Sequence, residues 1–151
     1  MIHMNIDDIA SEFQILGSSI SKFNLRNDFA YFDEDVVSKK LTDASYTMEP
    51  VVHKDGRLFG IIELFIKLEA KDKTKHKLTI ALTIEGCFTA PEEMDEEQFK
   101  GMLGINGCTV LYSIARSFII STTAQALAGG EIILPMINTF KLVEQGEKNK
   151  Q

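Results

Sequence analysis

The chain has 151 residues, 44% of them apolar and 25% charged, a profile that fits one core-forming globular domain and excludes wholesale disorder, a collagen-like fibre and a disulfide scaffold. Sixteen Lys and Arg against 22 Asp and Glu give a net charge of −6, the wrong sign for neutralising phosphates. Nucleic acid and anionic membrane are therefore not expected as partners, which leaves proteins and small molecules.

Met1 to Ala10 carries Asp7 and Asp8 and lacks the basic start and long apolar run of a signal peptide, so residues 1–10 are expected to be an N-terminal arm of a cytoplasmic protein. Phe13 to Leu25 alternates unevenly and reads as a first strand, with a bulge near Gly17. Asn27 to Thr42 shows neither a period of two nor one of 3.6. It is expected to be a long excursion with an aromatic cluster of Phe29, Tyr31 and Phe32, beside a solvated acidic triplet of Asp33, Glu34 and Asp35. Tyr46 to His53 reads as a second strand placed at an edge or a bulge by Pro50, which has no N–H to donate, and Lys54, Asp55 and Gly56 supply a turn. Leu58 to Ala70 is the clearest strand, with Leu58, Ile62, Leu64, Ile66 and Leu68 on its dry face. Leu78 to Phe88 alternates in the same way as a fourth.

Helices follow. Asp95 and Gln98 resemble a capping box opening a short helix that presents Phe99, Met102 and Leu103, and Gly104 and Gly107 are expected to interrupt it. Cys108 to Leu127 reads as a long helix with an apolar stripe of Leu111, Ile114, Ala115, Phe118 and Ile119. Its one charge, Arg116, argues for burial in protein rather than in a membrane. The other side, with Ser113, Ser117, Ile120, Ser121 and Ala124, is small and weakly polar, so another subunit is expected to cover it; Arg116 is assigned to that assembly, paired with a carboxylate or with helix carbonyls across the interface. Gly129 and Gly130 are expected to end the helix, Glu131 to Ile137 to form an apolar connection, and a last short helix to begin near Asn138. The fold class is α+β, a four-stranded antiparallel sheet followed by a long and a short helix in one domain over 1–151, with a polar tail over 143–151.

No GxSxG, P-loop, dinucleotide fingerprint or HExxH occurs. Cys87 and Cys108 are expected to be buried free thiols, and His3, His53 and His76 lie on separate segments, so no enzyme, metal or cofactor is expected. A rival class is a hot-dog-type acyl-thioester enzyme, but that fold places its helix between early strands; a purely structural oligomer is a third reading.

The C-terminal block carries a resemblance. Leu103 and Gly104, Leu111 and Tyr112, Ala115 and Arg116, then Leu134, Pro135, Ile137 and Asn138 are similar to the signatures of the SecB protein-export chaperones, at nearly the same spacings. Phe13 to Ile15, Phe23 to Leu25, Gly86 and Phe88 resemble that family's strands, so the likeness spans most of Phe13 to Leu142. It implies a cytoplasmic homotetramer, a dimer of dimers, that holds unfolded or export-destined polypeptide without ATP in a hydrophobic groove. The expected groove residues are Phe29, Phe32, Tyr46, Met48, Ile132, Ile133, Leu134 and Met136. The family commonly docks the SecA motor through carboxylates in its first and fourth strands, where this chain has Lys22, Arg26 and Ala81. That departure favours the alternative within the resemblance, a SecB-like guardian of the antitoxin in a toxin–antitoxin pair.

Overall fold

A computed structural model describes residues 1, 3, 11–28, 36–73, 76–127 and 131–150. Phe29, Tyr31, Phe32, the acidic triplet, most of the N-terminal arm, Gly129 and Gly130 lie outside these residues. The chain folds as α+β. Strands β1 (Gln14–Asn27), β2 (Val36–Met48), β3 (Val52–Lys54), β4 (Arg57–Asp72) and β5 (Lys77–Pro91) precede helices α1 (Glu96–Met102), α2 (Cys108–Ala126) and α3 (Thr139–Lys148). The sheet is antiparallel in the order β1-β5-β4-β2, with β3 also pairing β4.

The central strands follow their alternation. Leu58, Ile62, Leu64 and Ile66 of β4 meet Leu82, Ile84 and Phe88 of β5 on one face, each no more than 1% exposed, and α1 and α2 lie against that face. Two glycines set how close the helices come. A Cβ at Gly60 would stand 2.7 Å from Leu103 Cδ2, and one at Gly86 would stand 2.8 Å from Leu111 Cδ2. Phe13 stacks on Phe88 with centroids 5.2 Å apart and closes the core where β1 begins.

The structure differs from the sequence reading in five places. β2 starts at Val36, inside the expected excursion, and register shifts at Val36/Ser38 and Leu41/Asp43 move its side chains between parities and hide the period of two. The expected strand over Tyr46 to His53 is divided around Pro50, β2 ending at Met48 and β3 beginning at Val52, so the sheet has five strands rather than four. Asp55 and Gly56 both take positive φ, 52° and 74°, in the two-residue turn that returns β3 to β4. Gly104 and Gly107 do not break the helix. They sit in a π-helical turn, Leu103–Gly107, inside a helical run from Glu96 to Ala126, where a Cβ on Gly107 would lie 3.2 Å from Ile62. That run is long and apolar enough by composition to cross a membrane, yet here Phe99, Leu103, Leu111, Ala115 and Ile119 are fully buried against the protein's own sheet. The expected tail from Val143 onward is helix α3 through Lys148, with Val143 packed on the core, and Cys87 is half-buried on the opposite face while Cys108 alone is fully buried.

Candidate functional site

The segment between α2 and α3 carries two exposed large apolar side chains, Ile133 and Met136. Glu131 to Asn138 has neither helix nor strand, so its backbone groups need partners from elsewhere. They find them along one stripe of α2. The Ile132 N–H donates to Thr123 Oγ1 at 2.8 Å, the hydroxyl of which donates in turn to the Ile119 carbonyl. Arg116 Nε donates to the Leu134 carbonyl at 3.0 Å, and the Tyr112 hydroxyl donates to the carbonyl of Pro135. Thr109 Oγ1 lies 2.9 Å from Thr139 Oγ1 while donating to the Ile105 carbonyl. Residues 109, 112, 116 and 123 fall within about 60° of arc at 3.6 residues per turn, so the connection runs antiparallel to the helix and is fastened along its length.

This stripe changes the role of Arg116. It was expected to pair across a subunit interface; it bonds a carbonyl of its own chain, with Nη1 also 3.4 Å from Met136 Sδ. Burial raises the Tyr112 phenol above its ordinary value, against a lowering by the Arg116 charge, so it is held as a neutral donor. Sequence reading missed Thr109, Tyr112 and Thr123 as fastening groups; the available signal was hydroxyl-bearing residues recurring in register with the lone arginine.

Fastening the backbone sorts the side chains. Ile132 and Leu134 are 0% and 1% exposed and belong to the core, whereas Ile133 and Met136 are 56% and 80% exposed, followed by Phe140 at 69% on the first turn of α3. The expected groove residues are thereby divided. Tyr46 is covered by α3: its hydroxyl donates to the Val143 carbonyl at 3.3 Å, and Gly146 admits its ring, since a Cβ there would stand 2.7 Å from Tyr46 Cε1. Burial raises the Tyr46 phenol, and Cys108 and Glu147 push it further in the same direction. Met48 is half-buried beside it, and Phe29 and Phe32 lie outside the described residues.

Two depressions lie on this side of the molecule, one of them at the end of the connection. One of about 450 Å³ lies between β2 and α3, lined in part by Leu41, Ala44, Ile137 and Leu142. The other, about 380 Å³, lies where β1 begins, lined in part by Phe13, Ile15, Phe88 and Val110. Neither Ile15 nor Val110 was expected at a site; Ile15 pairs with Phe88 on the helix side of the sheet and is 39% exposed there, at the start of β1. The proposed interface set is laid out as follows: Ser113, Ser117, Ser121 and Ala124 are exposed on one side of α2 and Ile120 is half-buried beside them. Among the described residues no three His, Cys, Asp or Glu side chains come together as metal ligands.

No protein-family model matches the sequence, and no curated protein matches it. Among solved structures, the chain is similar to the SecB-like chaperone of Mycobacterium tuberculosis, solved in complex with a peptide from an antitoxin. The TM-score is 0.56 at 15% identity, over 83% of this chain and 91% of that one. It is also similar to a protein of unknown function from Streptococcus agalactiae, with TM-score 0.55 at 12% identity over 84% of this chain and 99% of that one. The chain therefore has the SecB-like fold, as the resemblance in its C-terminal block implies.

Proposed function

We propose that this chain is a chaperone of the holdase type, which binds an extended apolar stretch of another polypeptide without ATP and without changing it chemically. The observation that carries the reading is the fastened connection. Ile133 and Met136 stand out from a backbone held at the Ile132 N–H and at the Leu134 and Pro135 carbonyls, with Phe140 continuing the exposed line. A loop exposing apolar side chains such as Ile133 and Met136 would ordinarily collapse onto the protein; here the backbone anchors oppose it. Each client side chain buried on such a surface contributes about 1.5–3 kcal/mol, so a few contacts offset the cost of ordering an extended segment. The reading includes a cytoplasmic homotetramer, a dimer of dimers, in which the uncharged side of α2 is covered. The SecB-like fold supports it.

A second reading concerns the client. The Mycobacterium tuberculosis neighbour is solved with an antitoxin peptide, and Lys22 and Arg26 carry the wrong charge for the carboxylate docking of the SecA motor. A dedicated antitoxin client is therefore favoured over general protein export.

Suppression of aggregation of a slow-folding client tests the function, with Ile133→Asp and Ile114→Asp as paired variants. Ile133→Asp is expected to keep the assembly and lose suppression, because a carboxylate there stays wet until a client covers it. Ile114, half-buried on the core side of α2, is expected to lose folding or assembly when charged. No suppression by the parent at any ratio removes the holdase reading. A folded, assembled Ile133→Asp that suppresses as well as the parent removes this segment as the binding wall.

A further inference from the structure

The sheet face turned away from the helices is divided by charge. Residues directly opposite in an antiparallel ladder share a face, so the register reads across the sheet in rows. Lys22, Thr83, Phe65 and Ser45 form one row, Asn24, Ala81, Lys67 and Asp43 the next, and Arg26, Thr79, Glu69 and Lys40 a third; Lys77 and Lys71 pair beyond it. Six cations thus share these rows with two carboxylates, in a chain whose net charge is −6. Two of the six already face a carboxylate: Lys77 Nζ lies 2.7 Å from Glu69, which holds that carboxyl below the ordinary range, and Arg26 Nε lies 3.9 Å from Asp28 at the end of β1, so Lys22, Lys40, Lys67 and Lys71 carry the excess. Lys22, Arg26, Lys40 and Lys71 are exposed and Lys67 is half-buried. The sign reverses toward the β3–β4 turn, where Glu85 and Glu63 face each other in the row beyond Lys22. At the Lys22 end of the basic half, a depression of about 490 Å³ is lined in part by Lys22, Phe65, Ala81 and Thr83, so an aromatic ring and a methyl group lie beside one of the cations.

We propose that this basic half of the outward sheet face docks an acidic polypeptide segment carrying an apolar side chain. Charge complementarity selects the partner. A row of four strands spans about 14 Å at 4.8 Å per step, enough for four or five residues of extended peptide lying across the sheet. A nucleic acid fits less well: its phosphates would extend past the patch onto the Glu63 and Glu85 row and meet a chain of net negative charge. The proposal is independent of the apolar client surface, which lies on the helical side of the sheet.

Fluorescence anisotropy of a labelled polyglutamate peptide with one central phenylalanine tests it, with a polylysine peptide of equal length and a single-stranded oligonucleotide as comparisons. The parent is expected to bind the glutamate peptide in preference to both, with affinity falling as salt rises from about 0.01 to 0.15 M and the screening length contracts from about 30 to 8 Å. Reversal at three cations (K22E, K40E and K67E) is expected to weaken binding at least about tenfold, and the neutral set K22Q, K40Q and K67Q to give a smaller loss in the same direction should the reversed protein not fold. Both sets are expected to keep the parent's aggregation suppression, and Ile133→Asp to keep glutamate-peptide binding, so the two sites fail separately. Preference for the lysine peptide or the oligonucleotide overturns the proposal, as does unchanged binding by a folded neutral variant. So does a rise in mass with concentration that the reversal abolishes, because the face is then an interface between copies of this chain.

Discussion

Cys108 begins α2 with none of its surface exposed, and burial pushes its thiol up to about 12. Cys87 lies opposite Gly17 of β1 and Ile61 of β4 on the outward face; burial first and Glu85 second raise its thiol as well. Only the thiolate attacks an alkylating reagent. At about pH 8, a thiol titrating near 12 is ionised to roughly one part in ten thousand. Mass spectrometry after iodoacetamide treatment is therefore expected to show slow labelling of Cys87 and none of Cys108 until the protein is unfolded. Prompt labelling of Cys108 in the folded state would mean that the seam between α2 and the sheet opens, contrary to the close approach of the helices at Gly60 and Gly86.

Among the elements, β3 is tied to the start of α1 by a polar cluster. His53 Nε2 is 3.0 Å from Glu96 Oε2, and Lys100 Nζ is 3.2 Å from the same carboxylate's other oxygen. The hydrogen bond to His53 and then that to Lys100 hold the Glu96 carboxyl below its ordinary 4.5. Folding thus weakens proton binding, so the stabilisation is present above the unfolded value and is lost as pH falls through the folded one. Thermal midpoints of the parent and of Glu96→Gln are expected to differ at neutral pH and to converge in acid, once pH has fallen through the lowered Glu96 value. A gap that persists or grows in acid would assign the effect to helix capping rather than to ionisation.

The same scale shows which parts of the fold were legible in the sequence. β4 and β5 keep strict parity from Leu58 to Ala90, and their core face could be named from the sequence. β2 could not, because two register shifts scramble its pattern just where it enters the sheet. The connection was legible in composition but not in orientation. EIILPMI reads as one apolar wall, yet the bonds from Thr123 and Arg116 turn Ile132 and Leu134 inward and Ile133 outward. Those bonds depend on which helical residues come beside which carbonyls, which local periodicity does not encode.

At the scale of the whole molecule, the proposed assembly rests on α2. Its core side is filled by its own sheet and a second stripe is occupied by the connection, which leaves Ser113, Ser117, Ser121 and Ala124 exposed with Ile120 beside them. A helix face meant for water would carry charge, and in the nineteen residues of α2 the one charge, Arg116, is committed to the connection. Ser113 even returns its hydroxyl to the Thr109 carbonyl of its own helix at 3.0 Å, so the ridge presents little polarity. Small residues let two such helices approach closely, and a symmetric contact places every residue in the interface twice. The homotetramer proposed above predicts a sedimentation-equilibrium mass of four chains for the parent. Ser117→Arg and Ala124→Arg are expected to lower that mass while leaving the circular dichroism unchanged. Each side chain is accessible within its own protomer, so a guanidinium is tolerated there, but two facing copies would bury like charges at a cost of several kcal/mol. A parent that sediments as one chain at micromolar concentration would sink the assembly as the cover of the uncharged ridge. Loss of folding in both arginine variants would instead place that ridge inside the protomer's own core, against its exposure here.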